Sequence, residues 1–351
     1  MPGRSVDEYR APLFLAWQLT NRCSARCLAC CEESGPDKAW ADELTRGEAL
    51  DLARRIAESG IPFVAFGGGE PLGVAHSWDI FDILSAAGIA LKIETDGSRI
   101  DGIAADRLAA LDVDCIQISV DGAVAATHER VRPGSSFAAA IGAIERLVAR
   151  GAPPQFVFVP TRYNIDEIVA AFDLAARLGC SAFVTGPVMR IGRAAADWDR
   201  LGLSDEAWSR SVSALRERAA SSGAAIALSI YPWDIVTEME TRLESPQAML
   251  LVVPNGKVKL LNALPFSPAD LRVDSIDVAW DAYRKMWRTE AVRDFVAVSC
   301  RAGALEARER DVEHAQECAR RVTLAGAGFS SPRTTVFAKS SNFLCVRKQD
   351  G

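Results

Sequence analysis

The sequence has no excess of positive charge and no long apolar stretch. Its 40 lysine and arginine residues are outnumbered by 46 aspartate and glutamate residues, which gives a net charge of −6 and a pI near 5.3. Binding to nucleic-acid phosphates depends on clustered basic side chains, so this balance argues against a nucleic-acid partner. No apolar run is long enough to cross a bilayer, and residues 1–5 lead into charged positions rather than into a signal sequence. We therefore expect a cytoplasmic protein with no membrane partner.

Cysteine is the residue type that is distributed most unevenly. The chain has nine cysteines, an odd number that does not suit a complete disulfide framework. Cys23, Cys27 and Cys30 form a C-x3-C-x2-C pattern. Protein-bound iron–sulfur clusters usually take four thiolates, so three thiolates would leave one iron open to another ligand. A zinc site that uses Cys31 as its fourth ligand is the alternative, although adjacent side chains rarely converge on one ion.

Short runs of apolar and β-branched residues alternate with helical patterns along most of the chain. The candidate strands are residues 13–19, 62–66, 90–94, 115–120, 156–160 and 182–185. The candidate helices include residues 45–59, 135–150, 164–178 and 204–222, and the first of them starts with the capping-box pair Thr45 and Glu48. Six strand–helix units predict an α/β fold with an open, partial (β/α)6 TIM-like barrel. Ligands are expected over the carboxyl ends of its strands.

Four motifs follow successive predicted strands, and each contains residues suited to binding a ligand. They are the cysteine loop, Gly67-Gly68-Gly69-Glu70-Pro71, Glu94-Thr95-Asp96-Gly97, and Ile118-Ser119-Val120-Asp121-Gly122 with the following Thr127-His128-Glu129-Arg130-Val131-Arg132. Glycines permit a close backbone approach, and arginine suits the recognition of carboxylates. Because the carboxyl ends of parallel strands meet at one edge of a sheet, we expect the four motifs to lie together.

The ordered motifs resemble those of the radical S-adenosylmethionine (radical SAM) superfamily. They are most similar to its branch of SPASM- or twitch-type peptide and cofactor maturases and natural-product tailoring enzymes. The resemblance covers about residues 13–200 and implies that Cys23, Cys27 and Cys30 hold one 4Fe-4S cluster, whose open iron binds S-adenosyl-L-methionine (SAM). The cofactor-binding residues that it further implies are Gly68, Gly69, Glu70, Thr95, Ser119, Asp121 and Arg132.

Particular roles and two departures follow from the resemblance. It implies that Glu70 and neighbouring carbonyl groups accept hydrogen bonds from the ammonium group of SAM, and that Arg132 pairs with its carboxylate. Asp96 stands where the family more often has asparagine, and Ala29 stands where an aromatic residue usually precedes the third cysteine. The second departure implies less stacking near the adenine but removes no ligand.

The C-terminal part differs from the barrel pattern. We predict a tail over residues 1–12, the radical SAM barrel over 13–223, a degenerate SPASM- or twitch-like α+β appendage over 224–310, and a second tail over 311–351. The appendage begins with a hairpin around residues 249–261 and a helix over 276–293. The cysteine expected after the hairpin is absent, so an auxiliary cluster would have to use Cys300, Cys318 or Cys345. We expect only one cluster.

The resemblance implies that one electron, supplied by a reducing partner such as flavodoxin or ferredoxin, cleaves SAM to methionine and a 5'-deoxyadenosyl radical. That radical abstracts hydrogen from the substrate. Only about a dozen residues precede the first strand, and auxiliary cysteines are few. We therefore expect a small-molecule substrate in natural-product or cofactor biosynthesis, with decarboxylation or epimerisation as examples.

Two alternatives stay open: a maturase of a ribosomally made peptide, and a non-catalytic iron–sulfur or zinc-binding module. No catalytic residue is assigned. Arg190 or Arg193 is the predicted contact for a substrate carboxylate, and His128 is predicted to lie in a solvated loop.

Overall fold

One ten-stranded sheet organises the protein, which we describe from a computed structural model. The structure describes residues 6–111 and 113–302, with the backbone alone for 300–302, so Cys318, Cys345 and the predicted tail over 311–351 lie outside the described residues. The strands are β1 (Phe14–Thr20), β2 (Phe63–Gly68), β3 (Ala90–Thr95), β4 (Cys115–Ser119), β5 (Gln155–Phe158), β6 (Ala182–Thr185), β7 (Ala227–Ile230), β8 (Met249–Val252), β9 (Lys257–Lys259) and β10 (Ala269–Asp270).

Helices connect most of these strands. They are α1 (Arg46–Glu58), α2 (Ser77–Ala86), α3 (Gly102–Ala110), α4 (Ala125–Val131), α5 (Phe137–Val148), α6 (Ile168–Arg177), α7 (Gly192–Ala196), α8 (Trp198–Leu201), α9 (Asp205–Ser221), α10 (Ile235–Glu244), α11 (Ile276–Met286) and α12 (Glu290–Ala302). None of the helices in the described ranges has both the length and the apolar character needed to cross a bilayer.

The sheet is mostly parallel, with the strand order β10-β9-β8-β1-β2-β3-β4-β5-β6-β7. Strands β1 to β7 pair in parallel with their neighbours, and β8 pairs in parallel with β1 on the other side. The predicted partial TIM-like barrel is confirmed, together with all six predicted strands. Because neighbouring strands run the same way, their carboxyl ends, and the four motifs, lie at one edge.

The sheet is larger than the six strands that the sequence indicates. Strand β7 continues it beyond β6, and β8 returns to pair with β1, so strands on both sides of residue 223 belong to one sheet. The domain boundary at residue 223 stays a prediction. The predicted hairpin is present, with β9 antiparallel to β8 and Gly256 at φ +81° in its turn. Whether residues 224–310 act as a twitch-like region stays a prediction.

Local signals set the helix boundaries. Thr45 accepts a hydrogen bond from the backbone N–H of Glu48 while the Glu48 carboxylate accepts one from the Thr45 N–H, so the predicted capping box begins α1. The single helix predicted over 276–293 is wrong. It is split into α11 and α12, because the Thr289 hydroxyl accepts a hydrogen bond from the Val292 N–H and thereby starts a new helix.

Aromatic side chains fill the space between the sheet and its helices. Phe183 of β6 is fully buried and packs against Phe156, Phe158 and Phe172, with ring centroids 5.6, 6.0 and 5.7 Å away. These residues lie on the outward, helix-covered face of the strands. The alternate residues of each strand point to the inner face, so the sheet can be apolar outside and polar inside.

We expect Phe183→Ala to lower the free energy of unfolding by about 3–5 kcal/mol, because a buried phenylalanine leaves a cavity among three other rings. Urea denaturation of the cluster-free protein, followed by circular dichroism, measures the change. Val273→Ala is the control, since Val273 is 83% exposed, and its effect should stay within about 0.5 kcal/mol. Equal losses in both variants would contradict the assigned packing.

Candidate functional site

The cysteine loop follows β1 and is held from outside by backbone hydrogen bonds. The N–H groups of Gly69 and Glu70 donate to the carbonyl oxygens of Thr20 (2.7 Å) and Arg22 (2.9 Å), which joins the loop to the glycine motif after β2. On its other side the Arg26 N–H donates to Pro133 (2.7 Å). The Leu28 N–H donates to the carbonyl oxygen of Val131, the residue before Arg132 (2.9 Å). The first, second and fourth motifs are therefore in direct contact.

Gly69 is required by this contact. A Cβ atom at that position would lie 1.9 Å from the carbonyl oxygen of Arg22, closer than any side chain could be placed. Gly68 has φ +101°, and a Cβ atom there would lie 2.6 Å from the Thr20 carbonyl oxygen. Both predicted cofactor-binding glycines thus allow β2 to approach the start of the cysteine loop.

A second set of contacts to the cysteine loop comes from the segment after β6. Arg193 donates from Nε to the carbonyl of Cys27 (2.8 Å), from Nη2 to that of Ser34 (2.7 Å), and from its backbone N–H to that of Cys30 (3.1 Å). The predicted substrate contact by Arg193 is therefore wrong, because its side chain binds the loop itself. Gly192, at φ +54°, permits this approach, since its Cβ would lie 2.5 Å from the Cys31 carbonyl oxygen.

Glu70 joins the second motif to the third. Its carboxylate accepts hydrogen bonds from the N–H of Leu72 (3.1 Å), the hydroxyl of Thr95 (2.8 Å) and the N–H of Asp96 (2.9 Å). The residue is 4% exposed. Asp96 in turn accepts a hydrogen bond from the hydroxyl of Ser24 (3.1 Å), next to Cys23. The carboxylate of Glu70 is thus bonded within the protein, and its predicted contact with SAM stays a prediction.

The two carboxyl groups of this network have opposite pKa shifts. Burial, and then the charge of Asp96, raise the pKa of Glu70 from 4.5 to about 8. Burial alone would raise the pKa of Asp96, but hydrogen bonds from Ser98 and Glu70 lower it overall. The pKa shifts therefore favour the protonated form of Glu70 and the ionised form of Asp96, the position where the family more often has a neutral asparagine.

The fourth motif places a guanidinium beside the cysteine loop. Arg132 donates from Nη1 to Asp121 (2.9 Å), whose other oxygen accepts from the Val159 N–H (2.7 Å). Burial alone would lower the pKa of Arg132, but the nearby Cys27 and Asp121 raise it above its ordinary value. The Nε atom of Arg132 is buried and has no hydrogen-bond partner in the described part of the chain. It is available to an anionic group.

His128 is buried, so its predicted place in a solvated loop is wrong. Its Nδ1 accepts a hydrogen bond from the Asp121 N–H (3.2 Å), which leaves the ring proton on Nε2, 3.1 Å from the Ser135 hydroxyl. Burial and the charge of Arg132 lower the pKa of His128 to about 4. The neutral ring supports the helix between Asp121 and Arg132. Its contact with Asp121 depends on the tertiary fold and had no signal in the sequence.

The three cysteines fit the thiolate set of a cubane cluster. Cys23, Cys27 and Cys30 are free and partly exposed. Burial raises the pKa of Cys23 to about 12, and it raises the pKa of Cys27 although Arg132 opposes the shift. In residues 6–111 and 113–302, no three histidine, cysteine or acidic side chains converge on one metal ion. A cubane binds each thiolate at a different iron atom, and so does not require such convergence.

The remaining predicted site residues lie at the same edge. Thr95 ends β3 and accepts a hydrogen bond from the Gly97 N–H (3.0 Å). Ser119 ends β4, pairs with Val157 of β5 and is partly exposed. Ala29 packs with Leu28 against a small apolar cluster that includes Trp198.

The place expected for an auxiliary cluster is occupied by hydrocarbon side chains. Leu260, Leu261, Ala263, Leu264 and Phe266 are all buried after the hairpin. Cys300 lies in α12, and the structure describes the backbone alone at that position. The segment of residues 260–266 thus contributes to the core and supplies no thiolate.

We expect Arg193→Met to lower the iron content after anaerobic reconstitution, because the Cys27 and Ser34 carbonyls lose their donors. The free energy of unfolding of the cluster-free protein should fall by about 1–3 kcal/mol. Arg200→Met is the matched control, since the Arg200 side chain is 70% exposed. A variant with normal iron content and normal stability would show that the Arg193 contacts are unimportant.

The raised pKa of Glu70 predicts that the free energy of unfolding depends on pH. Its pKa is raised in the folded protein, so folding favours the protonated form, and this contribution is lost as the pH rises from 4.5 to about 8. Relative to Glu70→Gln, the free energy of unfolding of the cluster-free wild type should decrease over this range. Denaturant titrations at several pH values measure the difference. A difference that stays constant, or increases, contradicts the buried proton.

Sequence comparison identifies relatives of the region that carries these motifs. Residues 17–175 match the family described as the Radical SAM superfamily. The chain is 35% identical over 192 residues to the mycofactocin maturase MftC of Mycobacterium ulcerans, covering 54% of this chain and 51% of that protein. It is 32% identical over 175 residues to the AdoMet-dependent heme synthase of Methanosarcina barkeri, covering 49% of this chain and 50% of that protein. The chain thus spans about half the length of these relatives.

The fold is also that of a protein whose structure was solved with SAM bound. Streptococcus suis SuiB bound to S-adenosylmethionine superposes with a TM-score of 0.66 at 14% identity, over 80% of this chain and 68% of SuiB. The family match spans all four motifs, from the cysteine loop to Arg132. Residues 17–175 of the chain therefore belong to the radical SAM superfamily, whose enzymes use a 4Fe-4S cluster and SAM.

Proposed function

We propose that Cys23, Cys27 and Cys30 hold the 4Fe-4S cluster and that SAM binds between it, Asp96 and Arg132. The observation that carries this proposal is the joining of the four motifs by direct hydrogen bonds around the cysteine loop. When bound and reduced, the cluster supplies the electron that cleaves SAM to methionine and the radical that abstracts a substrate hydrogen.

The protein residues orient the cofactor in this proposal. Arg132 has a buried, unpaired Nε that suits the carboxylate of SAM, and Asp121 fixes the guanidinium in place. The negative charge on Asp96 favours a cationic neighbour and lies beside Ser24 in the loop. Gly68 and Gly69 have no side chain to cover the backbone where it meets the cysteine loop. The hydrogen bond from the Thr95 hydroxyl to Glu70 joins the segments after β2 and β3.

The substrate belongs to one of two classes. A small molecule in natural-product or cofactor biosynthesis, modified for example by decarboxylation or epimerisation, is supported by the similarity to a heme synthase. Peptide maturation is supported equally by the similarity to a mycofactocin maturase. We propose a reductant such as flavodoxin or ferredoxin and a place in the cytoplasm, where the six cysteines that the structure shows as free would stay reduced.

Cys27→Ala tests the proposal, because loss of one thiolate removes a cluster ligand. After anaerobic reconstitution we expect the wild type to carry four iron and four sulfide per chain. It should release 5'-deoxyadenosine from SAM with dithionite, whereas the variant releases none. The electron paramagnetic resonance signal of the reduced wild-type cluster should change when SAM is added.

Cys180→Ala is the matched control, since Cys180 is a buried free cysteine that precedes β6 at the opposite end of the sheet. It should retain both the cluster and 5'-deoxyadenosine release. If Cys27→Ala released the nucleoside at the wild-type rate, or if the wild type bound zinc in place of iron, the proposal would be overturned.

A further inference from the structure

We infer that three cationic side chains of the cysteine loop form the docking surface for an acidic electron-transfer protein. They are Arg22, Arg26 and Lys38, and we call them the basic patch. This inference rests on the proposed function, because the docked protein supplies the electron that the cluster requires. It concerns the protein partner of the site and not the substrate.

Gly35 lies at the centre of the basic patch. Arg22 and Gly35 form an isolated parallel β-bridge. A Cβ atom built on Gly35 would lie 3.3 Å from Cγ of Lys38 and 3.4 Å from Nη1 of Arg26. Gly35 itself is buried, whereas all three cationic residues are exposed. Three positions that are separated along the loop are therefore gathered around one buried residue.

Gly35 also connects the basic patch to the first of the three thiols. Its carbonyl oxygen accepts one hydrogen bond from the Cys23 N–H (3.0 Å) and another from the Lys38 N–H (3.2 Å). The route from the exposed patch to the Cys23 sulfur thus passes through two hydrogen bonds that share a single carbonyl oxygen. An electron delivered at the patch has only a short stretch of protein to cross.

The patch lies on the side of the loop that faces away from the glycine motif. The Arg22 carbonyl accepts a hydrogen bond from the Glu70 N–H, whereas the Asn21 carbonyl and the Cys23 N–H bond to Gly35. Backbone groups of successive residues in an extended segment point to opposite sides, so Gly35 and Glu70 lie on opposite sides of it. A protein bound at the patch would therefore leave the contacts with the glycine motif intact.

The basic patch has more positive than negative charge. Arg26 pairs with Asp37 at 2.7 Å, and the two side chains are 51% and 65% exposed, so water screens this pair. Arg22 and Lys38 have no carboxylate within ion-pair distance in the described part of the chain. The Glu43 carboxylate bonds to the backbone beside Arg22 (2.8 Å). Three cations thus face two carboxylates, in a chain whose net charge is −6.

Charge complementarity selects the class of partner. Because the whole chain is acidic, most of its surface repels an acidic protein, and a local excess of positive charge is where such a protein approaches most favourably. Interfaces of electron carriers are small and transient, which fits a patch of three side chains. An acidic flavodoxin or ferredoxin therefore matches the patch.

One electron moves in the docked complex. With flavodoxin, it leaves the flavin hydroquinone, which becomes a semiquinone, and it reduces the oxidised cluster by one electron. With ferredoxin, the iron–sulfur cluster of the carrier loses the electron instead. No bond forms between the two proteins, and the oxidised carrier dissociates.

Binding of oxidised flavodoxin to the reconstituted full-length protein tests the patch without an activity measurement. In calorimetric titrations at low ionic strength, Arg22→Glu/Lys38→Glu should raise the Kd about tenfold, because these charges govern the encounter. Arg22→Gln/Lys38→Gln should raise it less. Added salt should weaken binding to the wild type and reduce the difference between the proteins.

Arg54→Glu/Arg216→Glu is the matched control. Both arginines are exposed, they lie on α1 and α9, and the change in net charge is the same as in Arg22→Glu/Lys38→Glu. This control should bind flavodoxin with a Kd close to that of the wild type. Flavodoxin whose surface carboxylates have been amidated should bind the wild type about tenfold more weakly than unmodified flavodoxin.

Electron transfer is the second measurement. The rate of 5'-deoxyadenosine release with reduced flavodoxin is divided by the rate with dithionite for the same protein, so that any loss of cluster cancels. This ratio should fall about tenfold in Arg22→Glu/Lys38→Glu and stay at the wild-type value in the control, because dithionite is a small reductant that needs no docking surface. An acidic ferredoxin serves as a second carrier.

The outcomes separate this inference from the proposed function. Release with dithionite by the wild type tests the cluster and SAM without a carrier. If that release occurs but neither carrier binds, or the patch variants behave like the wild type with both carriers, the inference is overturned while the proposed function stands. An equal loss in the Arg54→Glu/Arg216→Glu control, or equal binding of amidated flavodoxin, would also overturn it.

Discussion

Backbone hydrogen bonds to the cysteine loop are the constraint on which the rest of the site depends. The loop has no regular secondary structure, so its shape is set by the segments after β2, β4 and β6 that bond to its peptide groups. Gly69 and Gly192 allow these segments to approach, and Arg193 ties two loop carbonyls together. Three thiol groups are thereby held at fixed positions by a rigid sheet, which is what a preorganised cofactor site requires.

The buried charged groups near the loop are paired or hydrogen-bonded. Asp121 pairs with Arg132, Lys92 pairs with Glu94, and the pKa of Glu70 is raised while that of Asp96 beside it is lowered. Buried charges are tolerated only when they are paired or hydrogen-bonded, so these contacts stabilise the site before any cofactor binds. The Nε of Arg132 is buried and has no hydrogen-bond partner among the described residues.

The two faces of the sheet carry different kinds of side chain. The outward face carries the aromatic core around Phe66 and Phe183, which provides stability. The inward face carries polar side chains, such as Gln117 and Gln155, which hydrogen-bond to each other across neighbouring strands. This division follows from the alternation of side chains along a strand.

The sequence by itself determined the strand–helix order, the capping box of α1, and the motifs that identify the superfamily, because these depend on local propensity and short spacing. It did not reveal that β8 pairs with β1, that Arg193 clamps the loop, or that His128 is buried. Each of these contacts joins residues through the fold: β8 and Arg193 meet segments more than 150 positions away, and His128 is enclosed by the chain packed around it. Only the tertiary structure decided them. A local sequence pattern predicts a strand but not the strand that pairs with it, and it shows a charged side chain but not the group that the side chain contacts.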